Sequence, residues 1–218
     1  MNITQQPSPN FDSRDGQCVD MLVLHYTGMK SGESALDRLC DESAKVSAHY
    51  MIDISGKIYQ LVAEENRAWH AGVSYWRGNT NINQRSIGIE IVNQGHELNY
   101  TTFPKAQMES VAKLCTEILS RHNIPARDVV AHSDIAPTRK KDPGELFDWK
   151  FLAEQGIGLF PSPITNHQSP STLHQYGYDT TDLPKAIIAF QRHFRPNNLS
   201  GIWDDECAKL LAALLAMV

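Results

Sequence analysis

The run Arg85-Ser86-Ile87-Gly88-Ile89-Glu90-Ile91-Val92-Asn93 alternates branched apolar side chains with small or acidic ones. A period of two is that of a β-strand, so Ile87, Ile89 and Ile91 share one face and leave Gly88 and Glu90 on the other. One face of this strand belongs to a core. A carboxylate inside so apolar a run is costly to bury unpaired, so Glu90 is expected to face a polar cleft or a cation. Two roles suit it: a general base for a metal-bound water, or one half of a structural ion pair.

Strands and helices alternate around this segment. Residues 19–27 read as a buried strand ending at His25, and Ser31-Gly32-Glu33 starts a short helix through Leu36, Leu39 and Cys40. Residues 47–54 and 57–62 read as two strands turned at Ser55-Gly56. Pro104 opens a long amphipathic helix carrying Met108, Val111, Cys115, Ile118 and Leu119 at helical spacing. A short strand over 129–132 and a helix over 147–155 follow. The pattern predicts an α/β fold with a mixed central β-sheet flanked by helices.

Composition changes at residues 161–171, where prolines and small polar residues without periodicity read as a linker. The expected division is therefore a catalytic domain over 1–160, the linker, and a small C-terminal three-helix domain over 172–218. In that last part Asp182 caps a helix burying Ile187, Phe190 and Phe194, and Asp204 opens another with Cys207, Leu210, Leu211, Leu214 and Leu215 on one face. Its size suits a compact binding module.

The 218 residues carry a net charge of −5 and 41% hydrophobic content, which argues against electrostatic capture of nucleic acid or an anionic membrane. No stretch is long and apolar enough to be read as a transmembrane segment. The first residues lack a basic start followed by an apolar run, so the expected location is cytoplasmic, with the periplasm or cell envelope as the alternative. Cys18, Cys40, Cys115 and Cys207 have no zinc-like spacing and read as reduced thiols.

The chemistry concentrates in Ala131-His132-Ser133-Asp134-Ile135-Ala136-Pro137-Thr138-Arg139-Lys140-Lys141-Asp142-Pro143-Gly144. An imidazole and a carboxylate flank a Pro-containing loop, and His25 ends a distant strand. Two histidines and one carboxylate are a recurrent ligand set for catalytic zinc, because they leave a fourth position open for water. A metal-assisted hydrolase is the first hypothesis. Lys140 could aim an ammonium at a developing oxyanion, but Arg139 and Lys141 flank it and position alone does not choose among the three. His49 and His70 could line the cleft or be structural, with His70 the better candidate for lining. Trp69 and Trp76 lie near His70 among glycines, a mixture suited to sugar or peptide.

Five blocks carry a resemblance: Leu22-Val23-Leu24-His25-Tyr26-Thr27, Ser47-Ala48-His49-Tyr50-Met51-Ile52-Asp53, Ala68-Trp69-His70-Ala71-Gly72, Ser86-Ile87-Gly88-Ile89-Glu90, and His132 through Gly144. In this order, over roughly residues 15 to 160, they resemble the N-acetylmuramoyl-L-alanine amidases of the AmpD/AmiD type, zinc enzymes of the type-2 amidase family related in fold to peptidoglycan recognition proteins. The tail, through Leu173-His174-Gln175-Tyr176-Gly177-Tyr178-Asp179 and Gly201-Ile202-Trp203-Asp204, resembles the three-helix peptidoglycan-binding domain. The resemblance implies zinc on His25, His132 and Asp142, Glu90 as general base, Lys140 at the oxyanion, and peptidoglycan or muropeptides as partner. It implies cleavage of the amide between the lactyl group of N-acetylmuramic acid, including its anhydro form, and L-alanine of the stem peptide. Trp76, Asn83 and Arg85, just before the Glu90 strand, are weaker candidates for substrate contact beside His49 and His70, and Asp134 is expected to be a structural loop residue. The rival readings are a non-catalytic peptidoglycan receptor on the same fold and a zinc peptidase acting within the stem peptide. The C-terminal module, on this reading, retains the enzyme on murein and can be removed without harm to cleavage of short muropeptides.

Overall fold

Three neighbouring parallel strands form the centre of the molecule, a computed structural model describing residues 2–218. They are β3 (Met21–Tyr26), β7 (Ser86–Ile91) and β8 (Val129–Ala131), with β3 in the middle. On the far side of β7 lie β4 (Tyr50–Ile52), parallel to it, then β5 (Ile58–Gln60), antiparallel to β4, and β1 (Ile3–Gln5), parallel to β5. The six strands run in the order β1-β5-β4-β7-β3-β8, and β2 (Phe11–Ser13) pairs with β6 (Asn66–Ala68) in a separate ribbon. This is the mixed, helix-flanked sheet that the sequence predicts.

The period of two assigns the faces. Leu22, Leu24, Ile87, Ile89, Ile91, Val129 and Ala131 all enter one cluster. Against it pack α3 (Lys105–Arg121), through Met108, Val111, Leu114, Cys115 and Ile118, and α5 (Trp149–Glu154), through Trp149 and Leu152. Gln107, wholly buried at the start of α3, donates to the carbonyls of Ile52 (3.2 Å) and Val92 (2.9 Å), tying the helix to the ends of β4 and β7. Between the other elements lie α1 (Gly32–Cys40), opened by a capping box at Ser31, and two single-turn helices, α2 (Ile82–Arg85) and α4 (His132–Ile135).

The opposite face is divided along the strands. Its residues on β3 are Met21, Val23 and His25, and on β7 they are Ser86, Gly88 and Glu90. At the start of the strands Met21, Val23 and Val130, with Trp76, Ile82 and Ile135, share one apolar cluster with Leu173, Tyr176, Tyr178, Ile187, Phe190, Phe194, Leu210 and Leu211. These last belong to, or follow, α6 (Leu173–Tyr176), α7 (Leu183–Phe194) and α8 (Asp205–Ala216). The C-terminal helices therefore complete the covering of the sheet and have no core apart from it. At the other end of the same face α1 packs through Ala35 and Leu39 on Met51 and Leu61, and between the two coverings Glu90 lines a cleft, with His25 buried beside it in register on β3.

Asp134 is the polar pin of this docking. Its Oδ2 accepts from the Ala131 amide (2.8 Å) and lies 2.7 Å from His193 Nδ1, and its Oδ1 accepts from the Tyr178 hydroxyl (2.8 Å). The acid is 1% exposed. A loop residue by sequence, it holds the start of α4 to the C-terminal helices.

Candidate active site

Parallel α/β sheets present ligands at the carboxyl ends of their strands, and here three such ends lie side by side. His25 is the penultimate residue of β3 and lies in register with Glu90 on β7, while His132 directly follows β8. Asp142 returns from the loop after α4, held by the Ser133 amide donating to its carbonyl (2.9 Å). The result is a tight group: His25 Nδ1 and His132 Nδ1 are 2.8 Å apart, and Asp142 Oδ2 is 3.1 Å from the first and 3.0 Å from the second. All three residues are buried.

The other ring nitrogens reveal what this group is for. His132 Nε2 lies 3.0 Å from the carbonyl oxygen of Ala71, which can only accept, so Nε2 carries a proton and Nδ1 is the nitrogen turned to His25 and Asp142. Burial, with His132 beside it, pushes the His25 imidazole down to about 4, so it is neutral near pH 7. Burial alone would raise the Asp142 carboxyl, but the two imidazoles facing it hold it well below the usual carboxylate range. Two ring nitrogens and one carboxylate oxygen thus converge on a single point. Such a donor set fits a divalent cation, and its type and number match the open three-ligand sites of zinc hydrolases.

Glu90 and Lys140 line the same cleft, of about 380 Å³, with Tyr26, Met29, Arg38 and Trp69 on its walls. Glu90 Oε2 is buried and has no hydrogen-bond partner. Burial raises the Glu90 carboxyl well above its ordinary value, Asp142 adds to this, and Lys140 opposes it. Arg139 is turned aside: its Nη2 donates to the carbonyls of Ala71 (2.8 Å) and Val73 (2.6 Å). Lys141 pairs with Glu97 at 2.9 Å. Of the three basic residues that position alone left open, only Lys140 has no such partner among the described residues.

Four of the expected substrate contacts lie elsewhere. Trp76 is 1% exposed, donates from Nε1 to Asp128 (2.9 Å) and packs on Tyr176 and Tyr178 at the opposite end of the strands. Arg85 is ion-paired with Asp20, also at that end. His49 is wholly buried, with Nδ1 accepting from the Gly88 amide (3.0 Å). Asn83 Oδ1 accepts from the amides of His70 (3.1 Å) and Ala71 (2.7 Å), so it shapes the segment beneath the site without entering the cleft. His70 does reach the cleft floor, with Nδ1 3.0 Å from His25 Nε2. Sequence reasoning did not single out Arg38 or Tyr26, since a helix-surface arginine and a strand-end tyrosine carry no motif of their own.

Fold and site together define a hydrolase of the α/β class with a His-His-Asp constellation at the carboxyl edge of its sheet. The family model for N-acetylmuramoyl-L-alanine amidases matches residues 15–145, and the chain belongs to that family. It is 38% identical to the N-acetylmuramoyl-L-alanine amidase AmiD of Escherichia coli K12 in an alignment that covers 90% of this chain and 82% of AmiD. The structure of E. coli AmiD with anhydro-N-acetylmuramic acid-L-Ala-D-gamma-Glu-L-Lys superposes with a TM-score of 0.82 at 37% identity, covering 94% of this chain and 90% of that one. AmpDh3 of Pseudomonas aeruginosa, in complex with anhydromuramic pentapeptide, gives 0.84 at 34% identity, covering 96% and 94%.

Proposed function

We propose that this chain is a zinc-dependent N-acetylmuramoyl-L-alanine amidase that cleaves the amide between the lactyl group of N-acetylmuramic acid, including its anhydro form, and L-alanine of the stem peptide. The observation that carries this reading is the convergence of His25 Nδ1, His132 Nδ1 and Asp142 Oδ2 at the floor of the cleft that His132, Asp142, Glu90 and Lys140 line. The substrate follows from the two muropeptide complexes of similar chains.

His25, His132 and Asp142 would hold the metal. Zinc in such a site lowers the pKa of a bound water to about 7 and polarises a carbonyl as a Lewis acid. Glu90 accepts the proton of the attacking water at its unpartnered carboxylate oxygen and returns it to the leaving alanine nitrogen. Its raised carboxyl suits a group that must both take and give a proton. The Lys140 ammonium offers charge to the oxyanion of the tetrahedral intermediate. Arg38 and Trp69, on the cleft walls, offer a cation and an aromatic face to the muropeptide. Residues 172–218 are proposed to bind peptidoglycan and retain the enzyme on murein.

Incubation of defined anhydro and reducing muropeptides, with and without a chelator, tests the activity. Mass spectrometry of the products should show a free stem peptide beginning at L-alanine, and none with the chelator. Cleavage inside the stem peptide, or binding without cleavage, would overturn the reading in favour of a peptidase or a receptor. Asp142→Ala is expected to lose the metal: it removes the one charged ligand, and affinity should drop by more than the roughly 10–100-fold that loss of an outer-shell partner costs. Metal content after gel filtration checks this, and a fully loaded variant would count against the ligand role.

A further inference from the structure

The two histidines of the metal group are oriented by different means. His132 meets a backbone carbonyl, whereas His25 meets a third histidine, and a histidine can present either a donor or an acceptor. Nothing about His70 alone decides which. The decision is made one residue further out.

Ser86, the first residue of β7, is wholly buried, and its hydroxyl lies 2.7 Å from the carbonyl oxygen of Ile82. A hydroxyl has one proton, and that carbonyl takes it. Ser86 Oγ therefore presents only lone pairs to His70 Nε2, 3.2 Å away, so the His70 proton sits on Nε2. The His70 Nδ1 that remains is an acceptor, 3.0 Å from His25 Nε2. The His25 proton must then occupy Nε2, and its Nδ1 is left bare beside His132 Nδ1 and Asp142. Gly88 admits the relay: a β-carbon at that position would lie 2.4 Å from His70 Cγ and 2.6 Å from Nδ1 and Cδ2, closer than any real contact.

We propose that Ser86 and His70 are a positioning pair that sets the tautomer of His25, handing the polarity of the Ile82 carbonyl through three hydrogen bonds to the metal-binding nitrogen. The glycine of Ser86-Ile87-Gly88 is in the strand to make room for the His70 ring. This rests on His25 being a metal ligand, and it adds to that reading the reason its lone pair points the right way before any metal arrives. One side chain steadies both arms: Asn83 Oδ1 accepts from the amides of His70 and Ala71, the residues that orient His25 and His132 respectively.

The test uses the full chain labelled with ¹⁵N-histidine. Long-range ¹H–¹⁵N correlation of the metal-free protein near neutral pH should show His25 and His70 each protonated on Nε2 alone. Ser86→Ala should turn His70 and His25 into tautomer mixtures. Zinc affinity, measured by competition with a chromogenic chelator, should fall about 10–100-fold in His70→Leu, the usual cost of an outer-shell partner. His70→Asn, whose Oδ1 can stand near the lost Nδ1 and accept from His25, should recover most of that loss, whereas a space-filling role would be served as well by leucine. Thermal unfolding of each variant reports whether it is folded. An Nδ1-protonated or mixed His25 in the unaltered protein overturns the proposal, as do equal affinities in the leucine and asparagine variants. A wild-type chain that takes up no zinc would instead refute the metal site, and the metal-free spectrum would still judge the relay.

Discussion

Glu90→Gln is expected to lower kcat by about 10²–10⁴-fold, the range that a positioned acid–base group supplies, while the protein keeps its full complement of zinc. The substitution preserves shape and removes only the ability to take a proton. Nothing in the group of His25, His132 and Asp142 depends on Glu90, whose Oε2 makes no hydrogen bond. The pH profile should change with the rate. Burial and Asp142 raise the Glu90 carboxyl, so the base form is lost as pH falls through that raised value and activity declines on the acid side. That acid limb should vanish in the variant. Single-turnover rates on a defined muropeptide, paired with metal analysis, check both statements, and a rate within tenfold of the unaltered enzyme would remove Glu90 from the base role.

Cutting the chain after residue 168 is expected to abolish cooperative folding, and with it the cleavage of short muropeptides. The sequence alone suggests the reverse, a binding module whose loss spares catalysis. The shared core changes that expectation. Met21, Val23, Trp76, Ile82, Val130 and Ile135 are each buried in the cluster that the C-terminal helices complete. At about 1.5–3 kcal/mol for each large side chain returned to water, their exposure costs on the order of 10 kcal/mol, comparable to the whole stability of an ordinary domain at about 5–15 kcal/mol. The buried Asp134 would also lose Tyr178 and His193, leaving its carboxylate with the Ala131 amide alone. Because Ala131 precedes His132, the damage reaches the metal group. Thermal melts by circular dichroism and hydrolysis of a short muropeptide decide the matter. A truncated chain that melts cooperatively within a few degrees of the full chain and cleaves at full rate would show the tail to be dispensable.

The alternation in residues 86–91 was enough to place Glu90 opposite the isoleucines, and strand ends were legible at His25 and His132. Helices announced themselves through caps and stripes: Asp182 and Asp204 do cap α7 and α8. The opening residues were harder. β1 and β2 are three residues each and mostly polar, so they carry no periodicity and owe their form to β5 and β6. Trp76 and Arg85 misled because an aromatic and a cation look alike in sequence whether they meet a sugar or, as here, a structural aspartate. Only the fold shows that both lie at the amino ends of the strands, away from the cleft.

What the sequence determined by itself is the inventory: a mixed sheet, a strand with one face in the core, and the residue types of a metal hydrolase in a recognisable order. Local pattern encodes these, since period and capping act over a few residues. The tertiary structure decided the strand order, which sets the ends of β7, β3 and β8 side by side and so brings His25, Glu90 and His132 together across more than a hundred residues. It also decided which groups face the ring nitrogens of the buried histidines and that the C-terminal helices share the core of the central sheet. Those are consequences of what lies across a face or a hydrogen bond from each residue, and no stretch of chain contains its own neighbours in space.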